Sequence, residues 1–309
     1  MILELKNIDK SFGEKEVLKG VSFTAEGGKA FGLLGRNGAG KTTSIRILMD
    51  VFPANSGEVL IDGQPIDYNK IGIGYLPEER GLYPKKIIID QLTYFAELKG
   101  MGRKAAVQSI DYWLGRLGMT EYRNKKLETL SKGNQQKIQL ITALAHDPDI
   151  IILDEPFSGL DPVNAMLLKE VVKEQIAKGK IVLFSSHQMS YIEEFCDSIA
   201  ILNNGVVALH GDLHDIKRDY PRDRLVVKTE TPDAILADFG SACTVMEGGN
   251  LMIRLGSPSE KKATMTRLVE NFDIDEVKVY EPSLNDIFVE CAGAAHRRTK
   301  ECSRQEEDL

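Results

Sequence analysis

The residues Gly35-Arg36-Asn37-Gly38-Ala39-Gly40-Lys41-Thr42, with Thr43 after them, have the types and spacing to hold a polyphosphate. They fit the pattern G-x-x-x-x-G-K-S/T. Glycines at these places let the backbone wrap around an anion with its N–H groups pointing inward. A helix that begins at the end of the loop adds its positive dipole end. In this pattern Lys41 reaches the β- and γ-phosphates and the Thr42 hydroxyl ligates Mg²⁺. Thr43 is placed to donate to the α-phosphate. A Gly-rich strand-to-helix turn with no ligand is the plain alternative, and the further residues weigh against it.

A second constellation lies downstream. Ile150-Ile151-Ile152-Leu153 is an apolar run that ends in Asp154 and Glu155. Open α/β sheets place their ligands at the carboxyl ends of parallel strands. There Asp154 would hold Mg²⁺, and Glu155 would orient and deprotonate an attacking water. An apolar strand that ends in two acids says little alone. Paired with a phosphate loop, it supplies the metal carboxylate and the water-positioning group that phosphoryl transfer needs.

The elements around these groups follow from the pattern. Short strands are expected over Leu3 to Ile8 and Val17 to Thr24, then an apolar strand over Ala30 to Leu34, which runs into the phosphate loop and a helix over Ser44 to Val51. A strand over Glu58 to Ile61 ends at an Asp62-Gly63 turn. From about Ile87 to Ala145 the apolar positions Leu92, Phe95, Ala96 and Leu98 fit a helical face, which gives a strand-free helical subdomain over about 86–146. Trp113, with Tyr112 and Leu114, reads as its core. Buried strands are expected at Ile150 to Leu153 and Ile181 to Phe184, with helices over Asn164 to Lys178 and from about Met189 to Cys196. The Asn-Asn-Gly turn between Ile199–Leu202 and Val206–Leu209 marks a hairpin. Strands alternating with helices imply a parallel sheet covered on its faces. Beyond about residue 215 the order changes to strand 224–230, helix 232–239, strand 242–247, strand 250–256, helix 259–272 and strand 276–281. That βαββαβ order is the split-βαβ, ferredoxin-like arrangement. A short helix over Leu284 to Cys291 is expected to dock on it. From Ala292 onward the chain is polar and charged, and reads as a disordered tail.

Leu130-Ser131-Lys132-Gly133-Asn134-Gln135-Gln136 precedes a helical run a short way ahead of the Asp154 strand. Ser131 is a good N-cap, and a helix that starts near Gly133 presents its N–H groups outward. With this segment the chain resembles an ATP-binding cassette subunit, whose signature is usually LSGGQ. The resemblance spans about residues 1–215 in the family's order. It implies a P-loop NTPase core, an α/β parallel sheet with antiparallel β and helical subdomains, beside the small C-terminal α+β domain at 220–291. It further implies that Phe12 stacks on adenine and that Glu78, in Gly74-Tyr75-Leu76-Pro77-Glu78, stands at the metal-contacting loop. Ser158-Gly159-Leu160-Asp161 matches the loop after the acids, and His187 matches the switch histidine that bridges Glu155, water and the γ-phosphate. Ser131 and Gly133 would meet the γ-phosphate of ATP held by the other subunit. The implied ligands are ATP and Mg²⁺. The implied partners are a second copy, or a paralogous cassette, and an integral membrane permease, at the cytoplasmic face of the membrane.

Three positions depart from the family pattern. Lys132 replaces the first glycine of the usual pair, Asn134 replaces glutamine, and Glu78 stands where glutamine is usual, adding a negative charge. LSKGNQQK, GYLPEERGLYP and the stretch Pro282 to Phe288 resemble cassette subunits of ABC-2-type exporters, including sodium-efflux, Nat-like systems.

Bulk composition agrees with a globular protein in a reducing compartment. The chain has 309 residues, 42% hydrophobic and 28% charged, with a net charge of −7. That balance argues against nucleic acid as a partner. Cys196, Cys243, Cys291 and Cys302 show neither CxxC pairing nor metal-ligand spacing. No stretch approaches about 18 consecutive apolar residues, so a membrane function needs a separate spanning partner. Two other functional classes stay open on sequence alone. One is a soluble cassette ATPase acting on ribosomes or DNA, which usually carries two cassettes or a coiled-coil insert. The other is a nucleotide-gated scaffold with weak turnover, against which Glu155 and His187 argue.

Overall fold

The computed structural model describes residues 1–79, 81–157, 160–246 and 248–289. Two compact units emerge, one built on Met1–Leu213 and the other on His214–Ile287.

The first unit opens with β1 (Ile2–Phe12) and β2 (Lys15–Glu26), then β3 (Ala30–Gly35), α1 (Lys41–Leu48), β4 (Ser56–Ile61), β5 (Gln64–Pro65) and β6 (Ile73–Leu76). A helical stretch follows with α2 (Ile88–Leu98), α3 (Arg103–Arg116) and α4 (Lys132–Leu144). The chain then alternates through β7 (Ile150–Asp154), α5 (Pro162–Ala177), β8 (Ile181–Ser186), α6 (Met189–Phe195), β9 (Ser198–Asn203) and β10 (Val206–Asp212). The second unit holds most of α7 (Leu213–Arg218), then β11 (Arg224–Lys228), α8 (Pro232–Phe239), β12 (Cys243–Val245), β13 (Leu251–Arg254), α9 (Lys261–Asn271) and β14 (Glu276–Val279). Residues 284–289 are helical. The expected tail, and the far end of the helix expected up to Cys291, lie outside the described residues.

Six strands form the central sheet in the order β10-β9-β3-β8-β7-β6. β9, β3, β8, β7 and β6 run parallel, and β10 closes the edge as an antiparallel hairpin partner of β9. All residues of β3, β7 and β8 are buried. Strands covered on both faces need such continuous apolar runs. Each fully buried Leu or Ile there contributes roughly 1.5–3 kcal/mol of transfer free energy. A separate antiparallel sheet, β2-β1-β4-β5, shares an apolar core with this one, in which Phe23 stacks on Phe31 at 5.0 Å. In the helical stretch Trp113 and Leu114 are buried as expected. Tyr112 is exposed instead, because its place on α3 turns it outward.

β6 was not foreseen as a strand. It is only four residues long and carries Gly74, which weakens a strand pattern. The glycine has a packing cause: a Cβ there would lie 2.0 Å from the Ala143 carbonyl oxygen of α4. Only a residue without a side chain lets α4 rest directly on β6.

The second unit is an antiparallel sheet in the order β12-β13-β11-β14. With α8 after the first of these strands in sequence and α9 after the third, it is a ferredoxin-like βαββαβ unit. Its core is Leu225, Val227, Ile235, Leu251, Ile253 and Leu268 with their neighbours.

Candidate active site

β3 delivers the chain buried to Gly35, after which the loop turns through Gly38 and enters α1 at Gly40, with φ +112°. A side chain at Gly40 would sit 2.5 Å from Leu18 as well as in a strained backbone region. The helix therefore starts at Lys41, three residues earlier than its apolar face suggests. No side chain caps α1, which leaves its first amides for a ligand. Lys41 folds back over the loop, its Nζ donating to the Gly35 carbonyl at 2.6 Å and the Arg36 carbonyl at 3.4 Å. Burial holds its ammonium below the ordinary value, against the pull of Glu155, Asp154 and Glu78. The Gly205 N–H, from the turn between β9 and β10, donates to the Ala39 carbonyl at 3.1 Å and braces the loop from behind.

The two acids stand at the end of β7, each only 5% exposed. Burial raises the Asp154 pKa, and the carboxylates of Glu78 and Glu155 raise it further. The Tyr75 hydroxyl lies 3.4 Å from Asp154 Oδ2. Glu155 adopts φ +47°, a left-handed conformation that costs a non-glycine residue on the order of 1 kcal/mol. Its carboxylate is held by β8 and the residue after it. Oε1 accepts from the His187 backbone N–H at 2.8 Å and lies 2.6 Å from His187 Nδ1, and Oε2 accepts from the Ser186 hydroxyl at 2.8 Å. A carboxylate offers about four acceptor positions. Among the described residues three are taken, which leaves one on Oε2.

One cleft of about 700 Å³ is lined by Lys41, Thr42 and Thr43 together with Glu78, Asp154, Glu155 and His187. Phe12, Arg36, Asn37, Gly38 and Gly40 line it as well, whereas Gly35 and Ala39 are buried behind it. Phe12 is 50% exposed and meets Phe52 edge-on at 5.4 Å. Ser131 and Gly133 are not part of this cleft. Ser131 caps α4 as expected, its hydroxyl accepting from the Asn134 N–H at 3.4 Å. Of the loop after the acids, Ser158 and Gly159 lie outside the described residues, and Asp161 caps α5 by accepting from the N–H groups of Val163 and Asn164, each at 3.0 Å.

The donor set fits Mg²⁺. Thr42, Asp154 and Glu78 offer only oxygen, the ligand of hard divalent cations. Asp154 with its raised pKa marks negative charge in need of a counterion. Residues that motif reasoning missed also line the cleft, among them Lys15, Val17 and Asn204. Asn204 sits in the hairpin turn that the sequence did reveal, but turn chemistry does not say what a turn packs against.

Residues 18–158 match the family model for the ABC transporter, and residues 211–292 match that for the ATP-binding protein DrrA1-3-like C-terminal domain. The chain is 40% identical over 299 residues to the ABC transporter ATP-binding protein YhaQ of Bacillus subtilis strain 168, covering 96% of this chain and 100% of the relative. It is 34% identical over 225 residues to the ABC transporter ATP-binding protein NatA of the same organism, covering 70% of this chain and 91% of NatA. Among solved structures, the dimeric structure of MJ0796, a bacterial ABC transporter cassette, aligns with a TM-score of 0.61 at 25% identity, covering 68% of this chain and 98% of that one.

Proposed function

The chain belongs to the ABC transporter ATP-binding family, and from that premise we propose that it hydrolyses ATP at this cleft to drive a separate membrane permease. One observation carries the reading. A single cleft gathers Lys41, Thr42, Glu78, Asp154, Glu155 and His187, while the capped N-terminus of α4 lies outside it. A second copy completes the site by bringing its own Ser131 and Gly133 to the γ-phosphate, so the working unit is a dimer with two nucleotides between its halves. That the similar cassette MJ0796 is dimeric supports a two-copy unit.

In this reading Phe12 stacks on adenine, the loop amides from Gly35 to Gly40 cradle the phosphates, and Lys41 swings from the Gly35 carbonyl to the β- and γ-phosphates. Thr42, Asp154 and Glu78 would hold Mg²⁺, which would supply charge neutralisation to the phosphates. Glu155 orients a water through its remaining acceptor position. As that water attacks the γ-phosphorus, its proton passes to Glu155 and the bond to the bridging oxygen of ADP breaks. His187 and Ser186 hold the Glu155 carboxylate still, so little reorganisation is needed. Loss of the γ-phosphate removes the anion that joins loop and partner helix, and the dimer opens.

The cassette domain spans about 1–215, with the helical subdomain at about 86–146 bearing on the permease, and the accessory domain spans 220–291. No helix among the described residues is long and apolar enough to cross a membrane. In this reading the chain works at the cytoplasmic face through its partner. The chain is also 31% identical over 272 residues to the Nod factor export ATP-binding protein I of Burkholderia lata, and that likeness favours export. The test is affinity purification of the tagged chain from detergent-solubilised native membranes. A multi-spanning protein in near-equal amount is expected. Ribosomal or DNA-repair proteins in its place would overturn the transporter reading.

A further inference from the structure

Gln139 is 4% exposed, a polar side chain buried in the middle of α4. Its Nε2 donates to the carbonyl of Pro77 at 3.3 Å and to that of Glu79 at 3.1 Å. These two carbonyls flank Glu78. A buried amide satisfied by both neighbours of one residue fixes where that residue stands, because leaving the amide unpaired costs about 1–3 kcal/mol. The close approach is built into both elements: Gly74 lets α4 rest on β6, and β6 leads directly into the Pro77–Glu79 segment. The same helix holds the other acidic segment, since Gln136 Nε2 donates to the carbonyl of Pro156, next to Glu155, at 3.0 Å.

We propose that Gln139 is a positioning residue that sets Glu78 in the metal site and ties it to the helix capped by Ser131. This rests on the reading of Glu78 as a metal-contacting carboxylate. Gln139 stands about two helical turns from Ser131. When a partner's γ-phosphate orders the start of α4, the rigid helix carries that order to the carbonyls on both sides of Glu78. The motif places Glu78 near the metal, and the buried amide makes its distance reproducible.

The experiment measures how much Mn²⁺ strengthens binding of the non-hydrolysable analogue AMPPNP to the full chain, as the ratio of Kd in EDTA to Kd with Mn²⁺. Loss of an outer-shell contact typically weakens a metal site roughly 10- to 100-fold. Gln139→Met keeps nearly the same volume without the amide. It should shrink the Mn²⁺-dependent gain roughly tenfold and leave binding in EDTA unchanged. Glu78→Ala should shrink the gain at least as much, and the double variant no further than Glu78→Ala, since the two act through one group. If Glu78→Ala shrinks the gain while Gln139→Met does not, or if the two losses multiply, the proposal is overturned and the reading of Glu78 stands. If Glu78→Ala leaves the gain intact, that reading falls and the proposal with it. Should Gln139→Met not fold, Gln139→Asn, the same amide on a shorter stem, takes its place and should lose part of the gain; a full gain would overturn the proposal.

Discussion

The two units bury different things. Among the described residues every buried polar or charged side chain lies in the first unit, including Ser44, Gln139, Asp154, Glu155, Ser185 and Ser186. The second unit buries an apolar set built on Leu225, Val227, Ile235 and Ile253, and among its described residues no acid is fully buried, Asp223 being partly so. A fold that needs only stability hides hydrocarbon. A buried carboxylate such as Asp154, its pKa raised by burial, works against folding at neutral pH, which accords with the metal-binding role proposed for it. The left-handed Glu155 belongs with it, since strain of this kind collects at functional sites.

The largest effect that would sharpen this contrast is on stability in the second unit. Leu225→Ala should cost about 2–5 kcal/mol, read from denaturant unfolding, while turnover per folded molecule stays unchanged. A turnover loss without unfolding would erase the division of labour. In the first unit Lys41→Ala should lower turnover by about 100-fold or more with little loss of stability, measured by phosphate release and by thermal unfolding. Phe12→Ala should weaken ATP binding by about 1–3 kcal/mol, read by titration calorimetry, with the GTP affinity falling in parallel because stacking tolerates any base.

The smallest effect is the most diagnostic. The folded-state pKa of Asp154 lies above its ordinary value of 3.8. The folded state therefore binds its proton more tightly, and the penalty of the charge is present above the folded pKa and absent below the ordinary one. Asp154→Asn should raise the unfolding temperature at pH 7 in metal-free buffer, and the gain should vanish as pH falls below the ordinary carboxylate value. Loss of stability at pH 7 would mean that the carboxylate is structural.

Much of this was legible where the signal is local. The phosphate loop, the acid pair after an apolar strand and the Ser131 cap each rest on neighbours in the chain. The βαββαβ order could be read because its strands and helices have clean periods. β6 escaped because four residues that include Gly74 carry almost no pattern. Gln136 and Gln139 escaped for a related reason. In Gln135-Gln136-Lys137-Ile138-Gln139 the polar positions resemble a solvated helix face, and only the packing of α4 on β6 turns them inward. The bracing of Ala39 by Gly205 was likewise hidden, since the two are joined only through the order of strands in the sheet.

The most direct test is phosphate release by Glu155→Gln against the unaltered chain, with nucleotide binding measured in parallel. Gln keeps the shape of the side chain but cannot take a proton. Turnover should fall by about 100-fold or more while ATP still binds. With hydrolysis blocked and ATP present, the dimer should persist in size-exclusion chromatography. Turnover within a few-fold of the unaltered chain would contradict the assignment of Glu155, and with it the account of how this cleft works.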